Sequence, residues 1–248
     1  MTPETLYAVI EATWPSASVR QVGPFLIRTG LGGGSRVSAA TITAPVTAAD
    51  LPQAEAEMEA LGQPKIFMIR AGDDALDALL EAEGYVIKDP VVGFVAPVSA
   101  LTAQRPPPVS TFEVWPPLAV QREIWAAGGI GPARLAVMDR VTGPKTTILG
   151  RVDDTPAGCA FVACHGPHAM LHALETSGLH RRKGVAARML TACAFWAKGQ
   201  GAETFSLVVT QANTGAHALY ASLGMEPVGQ YHYRIKTDAK DDPATLRC

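Results

Sequence analysis

The 248-residue chain is 48% hydrophobic and 18% charged, with a formal net charge of −2. This composition excludes a disordered chain, and the charge supplies no general field for nucleic acid or an anionic membrane. At roughly 100–150 residues per ordinary domain, the length predicts two modest domains. No apolar run approaches the roughly 18–20 residues that cross a bilayer, and the amino terminus does not read as a signal peptide. Cys159, Cys164 and Cys193 lie in apolar segments, and no CxxC pair occurs among the four cysteines. Buried thiols in a reducing cytoplasm are the expectation, with neither membrane nor nucleic acid as partner.

In chain order, residues 24–29 and 36–42 are β-like runs flanking Leu31-Gly32-Gly33-Gly34-Ser35, which reads as a hairpin turn that opens no helix. A helix is predicted over 51–61, a buried strand over 65–70, and a helix from Asp73-Asp74 that Gly84 ends. The run SALTAQRPPPVS, residues 99–110, favours an extended connector and is taken as the domain boundary. Beyond it a strand is expected at 112–115, one or two helices between 118 and 139, and strands at 146–152, 158–164 and 169–176. A helix over 183–198, a strand over 204–209, a helix over 214–223 and a last β segment over 228–236 follow. A meander and then alternating β and α elements give an α/β sandwich, a mixed β-sheet flanked by helices.

The informative stretch is LHALETSGLHRRKG, residues 171–184, running into VAARMLTACAFWAK. Val185, Met189, Cys193 and Trp196 recur at helical intervals, so an apolar strand leads through a short loop into a helix. The start of a helix exposes unpaired N–H groups and the positive end of its dipole, which suits phosphate. Arg181, Arg182 and Lys183 oppose that dipole unless an anion is bound, while Gly184 and Ala186 let a diphosphate approach the backbone. Gly-x-Gly-x-x-Gly and the P-loop signature are both absent.

Arg181-x-x-Gly184-x-Ala186 after a strand resembles the Gln/Arg-x-x-Gly-x-Gly/Ala signature of the GNAT N-acetyltransferases. Asn213-x-x-Ala216-x-x-Leu219-Tyr220-x-x-x-Gly224-Met225 is similar to that family's second motif. The resemblance spans about residues 111–236 and implies acetyl-CoA as cofactor and an amine, free or on a peptide, as acceptor. It implies that the backbone of Leu174 and Thr176, on a splayed strand, meets the pantetheine arm. It assigns the pyrophosphate to the N–H groups of Arg181, Arg182, Lys183, Gly184, Val185 and Ala186, the cofactor arm to Asn213, and the general acid to Tyr220. Gly178, Arg182 and Met225 depart from residues the family often carries, namely proline, glycine and phenylalanine. For the general base, Glu175 leads and His172 follows, with water or substrate-side groups as further routes. Strand alternation puts those two side chains on opposite faces unless the strand bulges.

Setting Gly84 against Gly224 aligns DDALDALLEAEGY with NTGAHALYASLGM, placing Leu80 at Tyr220 and Asp73 at Asn213. The counterpart of the phosphate loop, TAPVTAAD at 43–50, has neither glycine nor base. The expected organisation is therefore a degenerate, smaller GNAT-related α/β domain over 1–98, a linker over 99–110, the acetyltransferase domain over 111–236 and a tail over 237–248. His165, His168 and His172 lack a nearby carboxylate or cysteine in ligand geometry, so no metal is expected. Trp115, Trp125 and Trp196 read as core.

Overall fold

A computed structural model describes residues 1–236; the expected tail lies outside the described residues. In chain order the elements begin with helix α1 (Pro3–Thr13), strands β1 (Ser18–Val22) and β2 (Phe25–Thr29), helix α2 (Ser35–Ser38) and β3 (Thr41–Ile42). Next come α3 (Leu51–Ala60), β4 (Ile66–Arg70), α4 (Asp74–Ala82), β5 (Val86–Pro97), α5 (Val98–Leu101) and β6 (Thr111–Val114). The chain continues with α6 (Ala119–Ala127), α7 (Pro132–Arg140), β7 (Lys145–Val152), β8 (Thr155–His165) and β9 (His168–Thr176). It ends with α8 (Val185–Gly199), β10 (Thr204–Thr210), α9 (Thr214–Ser222) and β11 (Glu226–Ile235).

These elements gather into two compact units. One holds Met1–Pro15, Val92–Val209 and Asn213–Gly229; the other holds Ser16–Val91, Thr210–Ala212 and the chain from Gln230. The chain therefore does not divide at 99–110 as expected. The proline run packs within the first unit, where the Arg105 guanidinium lies 4.5 Å from the centroid of the Phe195 ring on α8. Residues 105–109 and the second half of α8 wall a cleft of about 460 Å³. Helix α1 also belongs to this unit. Thr2 caps it by accepting from the Thr5 N–H, Pro3 opens it, and Leu6 and Val9 are fully buried.

The sheet of the first unit runs β5-β10-β9-β8-β7-β6. Strands β6 to β9 pair antiparallel, whereas β9 and β10 pair parallel, so the sheet is mixed as expected. Helix α8 packs against β7, β8 and β9 through Val185, Met189, Leu190, Cys193, Ala194 and Ala197. Trp196, expected on that face, is only partly buried. Gly150 and Gly158 let the helix sit close, because a Cβ at either would come within 2.7 Å of the Met189 side chain. Helices α1 and α6 also pack on β8 and β9.

In the second unit β1, β2 and β3 form a small antiparallel sheet, and β4 pairs antiparallel with the end of β11. The triglycine run is not the expected hairpin turn. The hairpin lies earlier, with Val22 opposite Phe25, and the glycines lead into α2, where Gly34 takes φ +97°. Arg36-Val37-Ser38 alternates like a strand in sequence, yet these residues take up a helical turn. On β11, Arg234 and His232 both donate to Asp77 of α4, at 2.6 Å and 2.9 Å, and hold its carboxyl below the usual range. Two of the four residues in Tyr231-His232-Tyr233-Arg234 thus anchor α4.

Candidate active site

The expected splay is present. Parallel pairing of β10 with β9 ends at Leu207 opposite Leu171, although β9 continues to Thr176 and β10 to Thr210. On its other edge β9 stays paired with β8 as far as Gly158 opposite Thr176. The stretch that holds Leu174 and Thr176 therefore keeps one edge of backbone groups unclaimed by a neighbouring strand, which suits an amide-bearing ligand.

The same stretch carries a bulge. Cys159 pairs with Glu175 but Phe161 pairs with His172, so Ala160 faces both Ala173 and Leu174. Ala173 takes φ +49°, a conformation costly for an L-residue, and its carbonyl accepts from the Trp125 indole N–H at 2.8 Å. The extra residue resets the alternation. Leu174 packs with Leu171 in the α8 core, while His172 and Glu175 both turn toward α1 and α6. The condition under which the two base candidates share a face is thus met.

Their surroundings separate them. His172 is buried, stacked on Trp14 at 5.0 Å between centroids, and its Nε2 lies 2.8 Å from Thr13 Oγ1. The Thr13 hydroxyl donates to the Val9 carbonyl at 2.6 Å, so it accepts from His172, which fixes Nε2 as the protonated nitrogen. Glu175 is half-buried, with Arg181 4.0 Å away and no shorter ion pair among the described residues. Burial pushes its carboxyl above the usual range, which Arg181 only partly offsets. A carboxylate tuned upward is the better proton acceptor near neutral pH.

After Ser177 the chain makes one 3₁₀ turn and enters α8 through Gly184, which is left-handed at φ +73° and offers no side-chain cap. The N–H groups of the first turn thus face outward among Arg181, Arg182 and Lys183, all exposed. Arg188 donates to the Lys183 carbonyl at 3.0 Å and ties the loop to the helix. Arg182, where the resemblance calls for glycine, takes φ +65°. Arg182→Gly is therefore expected to raise stability by about 0.5–1 kcal/mol, the left-handed cost less the added chain entropy, read from urea midpoints without ligand. The helix start at residues 47–50 of the second unit differs. Thr47 and Asp50 cap it reciprocally, the Asp50 carboxylate accepting from the Thr47 N–H at 2.8 Å.

Asn213 caps α9 through Oδ1, which accepts from the Ala216 N–H at 3.1 Å. One helical span further, the Tyr220 ring is buried 5.7 Å from the Phe94 ring, and desolvation pushes its phenol up to about 12. Leu80 of the second unit, set against Tyr220 when Gly84 is aligned with Gly224, is fully buried in an apolar core. The buried thiols of Cys159 and Cys193 are pushed well up by the same desolvation. His168 and His172 bind different hydroxyls, Thr204 and Thr13.

Residues 107–225 match the family model described as "Acetyltransferase (GNAT) family". That segment belongs to the family, and the protein is an N-acetyltransferase, of the class that moves an acetyl group from acetyl-CoA to an amine. Among its relatives is an uncharacterized N-acetyltransferase, YobR, of Bacillus subtilis, 26% identical over 245 residues, covering 91% of this chain and 95% of that protein. A GCN5-related N-acetyltransferase from Kribbella flavida shares the fold with a TM-score of 0.70 at 19% identity, over 99% of this chain and 98% of that one. A tandem GNAT protein from the clavulanic acid biosynthesis pathway superposes with a TM-score of 0.58 at 13% identity, over 82% and 76% of the two chains.

Sequence reasoning missed Trp125 and Gly128 as parts of this site, and gave no element to residues 3–13. Gln121, Trp125 and Gly128 stand at the 0, 4, 7 spacing of one helix face, and Thr2-Pro3 is a helix-start signal, so both were present in the sequence.

Proposed function

We propose that the first unit binds acetyl-CoA with its pantetheine arm along the β9–β10 splay and its diphosphate at the N-terminus of α8. The observation that carries this reading is the uncapped helix start, ringed by three cations, at the end of a strand whose neighbour has parted from it. Backbone groups of Leu174 and Thr176 supply hydrogen bonds to the arm's amides, and the N–H groups from Arg181 to Ala186 hold phosphate oxygens. Asn213 keeps the α9 start in register and presents its amide nitrogen toward the cofactor arm. Glu175 takes the proton that the amine gives up on attacking the thioester carbonyl, and Tyr220 returns a proton to the sulfur. In the desolvated site the thiolate becomes more basic, as the buried cysteines here are, so a phenol near 12 is a matched donor. The acceptor is a small-molecule amine or a peptide amine.

Under the same reading the second unit is a GNAT-related domain without cofactor chemistry, since its helix start is self-capped and Leu80 replaces the phenol. Acetyl-CoA at a hundredfold excess over Kd should stabilise the protein by about 2.7 kcal/mol, a rise of roughly 5–10 °C in Tm. CoA should act similarly and NAD should not. An equal shift with NAD, or none with either CoA species, overturns the site. Turnover against amines, amino acids, polyamines and aminoglycosides, followed by thiol release, identifies the acceptor.

A further inference from the structure

The last turn of α6 touches the β9 bulge twice. Trp125 holds the Ala173 carbonyl, and three residues on, Gly128 stands against the Glu175 side chain. A Cβ built on Gly128 would lie 2.6 Å from both Cδ and Oε2 of Glu175 and 2.8 Å from its Cγ. Backbone conformation does not explain this glycine, because Gly128 has φ −88° and ψ 9°, which any residue adopts. The neighbouring Gly129 is the conformational one, at φ +80° with open space where its Cβ would stand. The two glycines thus serve different ends, one turning the chain and the other leaving room for a carboxylate.

We infer that Gly128 is a positioning residue, whose missing side chain forms the slot that seats the Glu175 carboxylate beneath the C-terminal end of α6. This rests on the reading of Glu175 as the base and adds what sets its place. The slot also bears on protonation. The end of α6 presents the negative pole of the helix dipole, opposing the carboxylate's charge. Arg181 from the loop acts the other way, and the Cys159 thiol on β8 is neutral.

Gly128→Ala tests it, since the clash falls on a flexible carboxylate rather than on backbone. The variant should fold and show an unchanged thermal shift with CoA. With the most active amine of the panel, kcat should fall about 10–100-fold with KM for acetyl-CoA unchanged, the effect of a misplaced group about 1 Å off its position. Shortening the carboxylate should then help: Glu175→Asp should cost less in Gly128→Ala than in the parent. A readout without acceptor follows the carboxyl carbons of [δ-¹³C]glutamate-labelled protein against pH, with Glu175→Gln assigning the signal. In Gly128→Ala the Glu175 midpoint should move down toward the ordinary carboxylate range. Unchanged kcat together with an unchanged midpoint overturns the slot. Full activity of Glu175→Gln would overturn the base instead, and the midpoint comparison would still decide the slot.

Discussion

Replacing Tyr220 with phenylalanine is expected to lower kcat by about 10²–10⁴-fold while leaving acetyl-CoA affinity nearly unchanged. The ring is buried against Phe94, so the substitution keeps the packing and removes only the proton donor. No hydrogen-bond partner for the hydroxyl occurs among the described residues, so its loss strands no buried group. Because desolvation pushes the phenol up to about 12, Tyr220 stays protonated across the working range. The parent's rate should therefore show no basic limb from this residue below about pH 11. Leu80→Tyr should restore nothing to the variant. Full turnover by Tyr220→Phe, under conditions where chemistry limits the rate, would make Tyr220 a packing residue.

Glu175→Gln is expected to lower kcat by a similar factor, about 10²–10⁴-fold, and to move stability the opposite way. Burial raises the folded carboxyl's pKa above its unfolded value, so the native state binds that proton more tightly. The contribution to stability is then full below the unfolded value, about 4.3, and is lost as pH rises through the higher folded one. Glutamine carries no such penalty. The variant should have a higher urea midpoint than the parent at pH 7, with the advantage vanishing below about pH 4. In the parent, kcat/KM should fall on the acid side as Glu175 gains its proton, and that limb should disappear in the variant. An equal midpoint at pH 7 would show that the carboxyl is not destabilised by its site.

Much of this was legible beforehand because it is local. The strand, loop and helix around Gly184 follow from periodicity and one glycine, and the second motif sits on α9 as expected. What sequence could not supply were the long-range terms. Whether His172 and Glu175 share a face depends on one extra residue in β9, held by an indole from a helix about fifty positions earlier. The proline run looked like a linker because its composition resists helix and central strand. Nothing local said that Arg105 would find Phe195 or that the segment would line a cleft. The triglycine run misled for a related reason: β2 does pair with β3, but only at Phe25 and Leu26, because residues 35–38 between them form a helical turn.

Helix α1 carries a consequence for how the molecule is made. Its buried residues Leu6, Val9 and Ile10 belong to a unit whose β8 and β9 strands emerge from the ribosome much later. At about 5–20 residues per second, roughly 10–30 s separate the synthesis of Thr13 from that of Thr176. Through that interval an apolar helix face waits without its strands. The helix is thus translated well before the strands it packs on, and the first unit closes only after β9 has followed.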